Sequence, residues 1–216
     1  MKNNKANSLQ VSKQNSVVIF DNPEDMTTHI RMLQTALLQG EISGTIISCQ
    51  EWNSLNDMAA SCLVKGVLDF LTIRTFDLLA IKSRVNLFNL MNSYKTQKNY
   101  QEFALLKQSL AAQKTTEELN RFLARHHESI QEQINKLMDL EQKEFSLIVV
   151  SNFQTISNND QPMLAGILHR LVKGVPAYFR LLTLGRPQLF RKTDFGEVGI
   201  QRDHDYVEIV WKSPQN

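Results

Sequence analysis

Short apolar runs and longer helical stripes alternate along this chain of 216 residues. Ser16-Val-Val-Ile-Phe20 is apolar and β-branched, and Asp21-Asn22-Pro23 follows it. That pattern predicts a buried strand that ends in a turn. Met26, Ile30, Leu33 and Leu37 then recur at helical spacing, with Thr27 or Asp25 available as N-cap and Gly40 as a stop. Gly44-Thr-Ile-Ile-Ser48 reads as a second strand. Strand, helix and strand at this spacing form a βαβ unit, which implies a parallel sheet.

From about 54 to 143 the pattern is helical and predicts an all-helical insertion. Its first part is very apolar, with Met58, Ala59, Cys62, Leu63, Leu68, Leu71, Phe76 and Leu79, and Ser54 with Asp57 resembles a capping pair. Residues 93–114 are polar and rich in Lys and Gln, with Phe103, Leu105, Leu106 and Leu110 on one helix face. Thr115-x-x-Glu118 is a capping box that opens a longer helix, whose stripe is Leu119, Leu123, His126, Ile130, Ile134 and Leu137. Phe145-Ser-Leu-Ile-Val-Val150 is the clearest buried strand. A turn over 157–162 leads into a helix marked by Leu164, Ile167, Leu168 and Leu171, which stops at Lys173-Gly174. Residues 177–184 predict another strand with Pro176 at its entry, and Glu208-Ile-Val-Trp211 predicts a last one.

Composition narrows the function classes. Lys and Arg total 24 and Asp and Glu 22, so the net charge of +2 argues against a strongly basic nucleic-acid binder or an acidic solvating chain. No apolar run approaches the roughly 18 residues that span a bilayer. Residues 1–14 are rich in Asn, Lys, Ser and Gln, and read as a disordered lead-in rather than a secretory signal. Cys49 and Cys62 are the only cysteines, too few for a disulfide scaffold, and they fit a reducing, cytoplasmic setting.

The loops that follow the strands carry the argument about chemistry, because ligands of parallel sheets bind beyond the carboxyl ends of strands, near helix N-termini. The first such loop is Asp21-Asn-Pro-Glu-Asp-Met-Thr-Thr28. A phosphate cradle needs glycines for close backbone approach and a Lys for the terminal phosphates. This loop has neither, and offers Asp21, Asn22, Glu24 and Asp25 instead. A like-charge contact at about 4 Å costs on the order of 1–4 kcal/mol, so these acids oppose a polyphosphate. The residues read as an acidic helix-cap cluster. The second loop begins Ser151-Asn152-Phe153, where an NTPase needs an Asp for magnesium and an acid to orient water. Neutral Ser and Asn read as polar groups that end a strand.

A resemblance enters through the second half. Asp160-Gln-Pro162, His169-Arg170-Leu171 with Lys173-Gly174, and a strand ending Thr183-Leu-Gly-Arg186 resemble bacterial P-loop ATPases of the AAA+/STAND type. These are the origin-recognition-like ATPases of mobile-element and phage-defence operons. In that family an apolar strand ends in paired acids, a helix with this DQP…HRL pattern follows, and the next strand ends near a Thr and an Arg. The segment 197–205 with Val207-Glu-Ile-Val210 is similar to the family's next turn and strand. The resemblance covers 145–210, and covers 16–48 only in the order of elements. It implies an α/β fold with a parallel P-loop NTPase-like sheet flanked by helices, over residues 15–216. The family's phosphate-loop glycines, Lys and Ser/Thr have no counterpart in 21–28, and its paired acids correspond to Ser151 and Asn152. Thr183 and Arg186 stand where the family has a polar sensor and a nearby Arg. The fold is therefore carried over and the activity is not. The stretch Ile19-Phe-Asp-Asn-Pro-Glu-Asp25 is similar to an early motif of BrxB-like accessory proteins of phage-exclusion systems, which also lack nucleotide motifs.

These residues lead to the expectation of a non-catalytic, ATPase-derived scaffold or regulator in a bacterial multiprotein assembly. It would use no cofactor and dock onto protein partners, such as a true ATPase or a defence-complex subunit. Asp21, Asn22, Glu24, Asp25, Ser151, Asn152, Thr183 and Arg186 would be its vestigial nucleotide face. An alternative is a nucleic-acid-binding module. No acid lies between Asp160 and Asp194, whereas Arg170, Lys173, Arg180, Arg186, Arg191 and Lys192 do, and a stripe of such residues suits phosphates or an acidic partner. A third reading is an NTPase whose site a partner chain completes. His126-His127 cannot share a helix face for a metal, since adjacent positions point about 100° apart. His204 between Asp203 and Asp205 reads as a hydrogen-bonded turn. Neither cysteine has a neighbouring base.

Overall fold

A computed structural model describes residues 13–50, 58–83, 94–113, 115–194 and 196–211. The lead-in up to residue 12 and the Ser54–Asp57 pair lie outside them. The elements run β1 (Ser16–Phe20), α1 (Pro23–Leu38), β2 (Ser43–Ser48), α2 (Met58–Ser83), α3 (Tyr94–Ala111), α4 (Thr116–Glu141), β3 (Ser146–Ser151), a single 3-10 turn (Phe153–Thr155), α5 (Gln161–Val172), β4 (Ala177–Leu184), β5 (Phe190–Thr193), β6 (Gly196–Gly199) and β7 (Val207–Val210).

Five of the strands form one all-parallel sheet in the order β2-β3-β4-β1-β7, flanked by helices in the manner of a P-loop-like α/β fold. The βαβ unit expected at the start is present, but β1 and β2 are not neighbours. β4 and β3 lie between them, because β3 and β4 enter the middle of the sheet only after the helical insertion.

Strands covered on both faces are apolar on both faces. Val18, Phe20, Leu147, Val149 and Leu182 pack with Met26 and Leu33 of α1. Val17, Ile19, Ile148, Val150, Phe179 and Leu181 join the core built with α2, α4 and α5. Continuous runs such as 146–151, buried at every position, follow from this two-sided cover.

The insertion holds α2, α3 and α4. Thr115 and Glu118 make the predicted capping box, at 3.1 and 3.2 Å. Leu119, Leu123, Ile130, Ile134 and Leu137 are buried as the stripe required, and His126 is half-buried against Phe122 with ring centroids 4.7 Å apart. His127 is also half-buried and lies 2.8 Å from Gln131. In α3 the expected face divides: Leu106 and Leu110, one turn apart, are buried, and Leu105 points to solvent. The side chains of Phe76, Leu79 and Phe103 lie outside the described ones.

Three further expectations are corrected. The N-cap of α1 is Asn22, not Thr27 or Asp25. Pro23 occupies the first turn, where its fixed φ suits it, and this sets the helix start. Thr27 instead donates to the Pro23 carbonyl at 2.8 Å. The last strand begins at Val207 and stops before Trp211. A two-stranded antiparallel hairpin, β5 with β6, stands where no strand was expected. Its strands, Phe-Arg-Lys-Thr and Gly-Glu-Val-Gly, are four residues each and too short and polar to show a period.

Candidate functional site

The chain leaves β1 toward β2 on one side of the sheet. It leaves β4 in the other direction, past β1, to β7. The carboxyl ends of β1 and β4 are thus the topological switch point, where a parallel sheet opens a crevice. Phe20 pairs with Leu184, and the Gly185 N–H donates to the Phe20 carbonyl at 3.3 Å. β3 lies on the far side of β4, so Ser151 and Asn152 reach the same edge. The fold therefore gathers Asp21, Asn22, Glu24, Asp25, Ser151, Asn152, Thr183 and Arg186 at one end of the sheet.

The protein's own groups occupy this edge. Only Asp21 and Asn22 separate β1 from α1. The Asn22 side chain accepts from the Asp25 N–H at 2.8 Å and donates to the Asp25 carboxylate at 2.8 Å. Of the first three helical positions, Pro23 has no N–H and the Asp25 N–H is taken by the cap. A helix N-terminus holds an anion through such donors, so this one is poorly equipped for phosphate. Asp21 and Glu24 are exposed beside it.

At the second junction Ser151 is buried and Asn152 takes the left-handed conformation, with φ 56°. Asn is among the few residues that adopt it at low cost. The Asn152 amide donates to Ser48 Oγ at 3.2 Å, tying the ends of β2 and β3. Thr183 is fully buried, its hydroxyl 3.5 Å from the Leu184 carbonyl, and cannot face a ligand. Arg186 is exposed and paired with Glu208 at 3.2 Å. Neither junction presents the donors of a phosphate cradle, and no carboxylate follows β3 to hold magnesium.

Two glutamines that the sequence did not single out for a role close the edge. Gln154 accepts from the Leu184 N–H at 3.2 Å. Gln161, only 2% exposed, donates to the Ile156 carbonyl at 2.9 Å and accepts from the Gln188 N–H at 2.8 Å. Only the Asp160-Gln-Pro162 string hinted at Gln161.

The six basic residues do not form one stripe. Arg170 and Lys173 end α5 at the opposite edge of the sheet, where Arg170 donates to Asn120 at 3.0 Å and the Lys173 carbonyl accepts from Gln131 at 3.0 Å. Arg180 is buried between the sheet and α1, 3.2 Å from Ser16 Oγ. Arg186 is at the carboxyl edge. Arg191 and Lys192 are on the hairpin, with Lys192 3.8 Å from Glu197. The strand's apolar surroundings drew Arg180 inward, and the hairpin carried the last two away.

Beneath β1 lies a cluster that sequence reasoning missed. His29 of α1 is 2% exposed, with Phe20 and Trp211 around it at ring-centroid distances of 5.5 and 4.8 Å. Among the described residues, neither ring nitrogen has a hydrogen-bond partner. Burial pushes its pKa down to about 4, and the Arg180 guanidinium adds to the shift. At the other edge His169 lies 3.8 Å and His204 3.0 Å from Asp205. Burial lowers the His169 pKa. Burial alone would raise that of Asp205, but the Gln201 N–H and the two rings outweigh it and hold the carboxyl below its usual range. Among the described residues, no group of three or more His, Cys, Asp or Glu is arranged to hold a metal ion. Burial pushes the Cys49 thiol up to about 12, which keeps it protonated and unreactive.

Fold and site together define a parallel α/β domain with a helical insertion and a self-capped switch point. No model of a known protein family matches the chain, and no curated protein matches it. No helix among the described residues is long and apolar enough to cross a membrane.

Proposed function

We propose that this chain is a non-catalytic, ATPase-derived subunit that scaffolds or regulates a bacterial multiprotein assembly, in phage defence or mobile-element maintenance. The observation that supports it is the self-capped carboxyl edge. Asn22 fills the helix N-terminus that would receive phosphate. Asn152 ties down the strand end that would carry the magnesium acid. Both elements are replaced in a P-loop-like sheet that otherwise keeps its parallel core. Docking through the insertion helices and this edge, onto a protein partner such as a true ATPase, is the corresponding mechanism. The dispersal of Arg170, Lys173, Arg180, Arg186, Arg191 and Lys192 weighs against the nucleic-acid reading. Calorimetric titration with ATP, ADP and GTP, with and without magnesium, tests the proposal alongside thermal melts. Absent or millimolar binding with an unchanged melting temperature is expected. Micromolar, magnesium-dependent binding would overturn it.

A further inference from the structure

The sheet has two edges, and they differ. At one, β7 carries Glu208, held by Arg186 at 3.2 Å and Arg202 at 3.5 Å. Charges on an edge strand oppose the addition of another strand. At the other, β2 reads Ser-Gly-Thr-Ile-Ile-Ser, with neither charge nor proline, and among the described residues it pairs with β3 alone. A cavity of about 450 Å³ opens beside it, lined by Leu38, Ile42, Phe70 and Ile73 among others. Leu38 is 89% and Ile73 62% exposed, an unusual cost for two large apolar groups at one groove.

The groove itself states what would fill it. An occupant must be extended, because only an extended backbone satisfies an open strand edge. It must also be uncharged. The charged side chains that line the groove are already paired, Asp69 with Lys107 and Arg74 with Glu141, so an incoming charge would find no counter-charge. The strand β2 of another molecule meets both conditions. We propose that a second copy of this chain docks here, β2 against β2 in antiparallel fashion about a twofold axis. Such an interface is self-complementary and closed. With no charge on β2, self-pairing brings no like charges face to face. The exposed Leu38 and Ile73 of both copies are then withdrawn from water together.

The test is sedimentation of the full chain over a concentration series, compared with the double variant Leu38→Lys, Ile73→Lys. Both side chains are exposed, so the fold should survive, as unchanged circular dichroism would verify. The wild-type chain is expected to dimerise and the variant, with like charges across the axis, to be monomeric. Hydrogen exchange should slow at residues 44–48 as the wild-type concentration rises. A wild-type monomer at every concentration would overturn the proposal. So would a dimer that the double variant leaves intact, or one that forms without protecting β2.

Discussion

Acidification should expose the cost of burying His29. Its ring is 2% exposed and packed against Phe20 and Trp211, with no partner for either nitrogen among the described residues and the Arg180 guanidinium nearby. A charged imidazole there would lose water and meet a like charge, so the folded protein keeps it neutral down to about pH 4. The unfolded chain protonates the same residue near pH 6.5. Between those values the unfolded state binds the extra proton, so stability falls as pH falls, and above pH 6.5 the residue contributes no slope. From pH 7.5 to 4.5 the loss assigned to His29 is about 2–3 kcal/mol. His29→Leu keeps similar volume, suits the helix and removes two unpartnered nitrogens, so it should match or exceed the wild type at pH 7.5. Urea denaturation of both proteins at both pH values isolates the effect, because Asp205, Glu144 and His169 titrate alike in each. The variant should lose about 2–3 kcal/mol less than the wild type on acidification. Equal losses would refute the reasoning, and would mean that water or a structural opening reaches the ring.

Further predictions rest on backbone and caps. Gly44→Ala places a Cβ 2.0 Å from the Leu147 carbonyl oxygen, so β2 and β3 must separate, and urea melts should show a loss of about 3 kcal/mol or more. Gly40→Ala, at φ +68° but with nothing within 4 Å, should cost only about 1 kcal/mol in the same assay. Thr115→Ala removes one half of the capping box of α4 and should cost about 1 kcal/mol, a fall of roughly 2–4 °C in melting temperature. Gln161→Leu strands the Gln188 N–H and the Ile156 carbonyl, about 1–3 kcal/mol for each, and hydrogen exchange at Gln188 should accelerate while β3 stays protected.

What was legible in the sequence was what local pattern controls. β1, β3 and β4 show as apolar runs because the parallel sheet is covered on both sides, and Thr115 with Glu118 marks a helix start by chemistry that needs no distant partner. The order of the strands was not legible, since β2 is set at the edge by elements that come 100 residues later in the chain. Arg180 misled for the same reason: a basic residue within an apolar run reads as surface until β1 and α1 cover it. His29 looked like an ordinary helical polar residue, because Trp211, its closest aromatic neighbour, is contributed by the far end of the chain. Asn22 was legible as part of an acidic loop but not as the cap, which depends on where Pro23 starts the helix.

The carboxyl edge makes sense as a place where side chains do what a bound ligand does elsewhere. Strands and helices that end at a crevice leave backbone N–H groups without partners, and burying them unpaired is costly. A ligand can satisfy them, but the fold is then complete only when the ligand is bound. Here the Asp25 N–H goes to Asn22, the Leu184 N–H to Gln154 and the Gln188 N–H to Gln161. Each acceptor is a neutral amide or its carbonyl, which demands no counter-ion. Each is anchored on an element next to the donor it serves, so the cap costs little ordering entropy. An edge closed this way needs no anion to hold its shape. Building a ligand site here would therefore take more than one glycine or one lysine. The amides would have to leave first, and the donors they release would have to be re-aimed at the ligand.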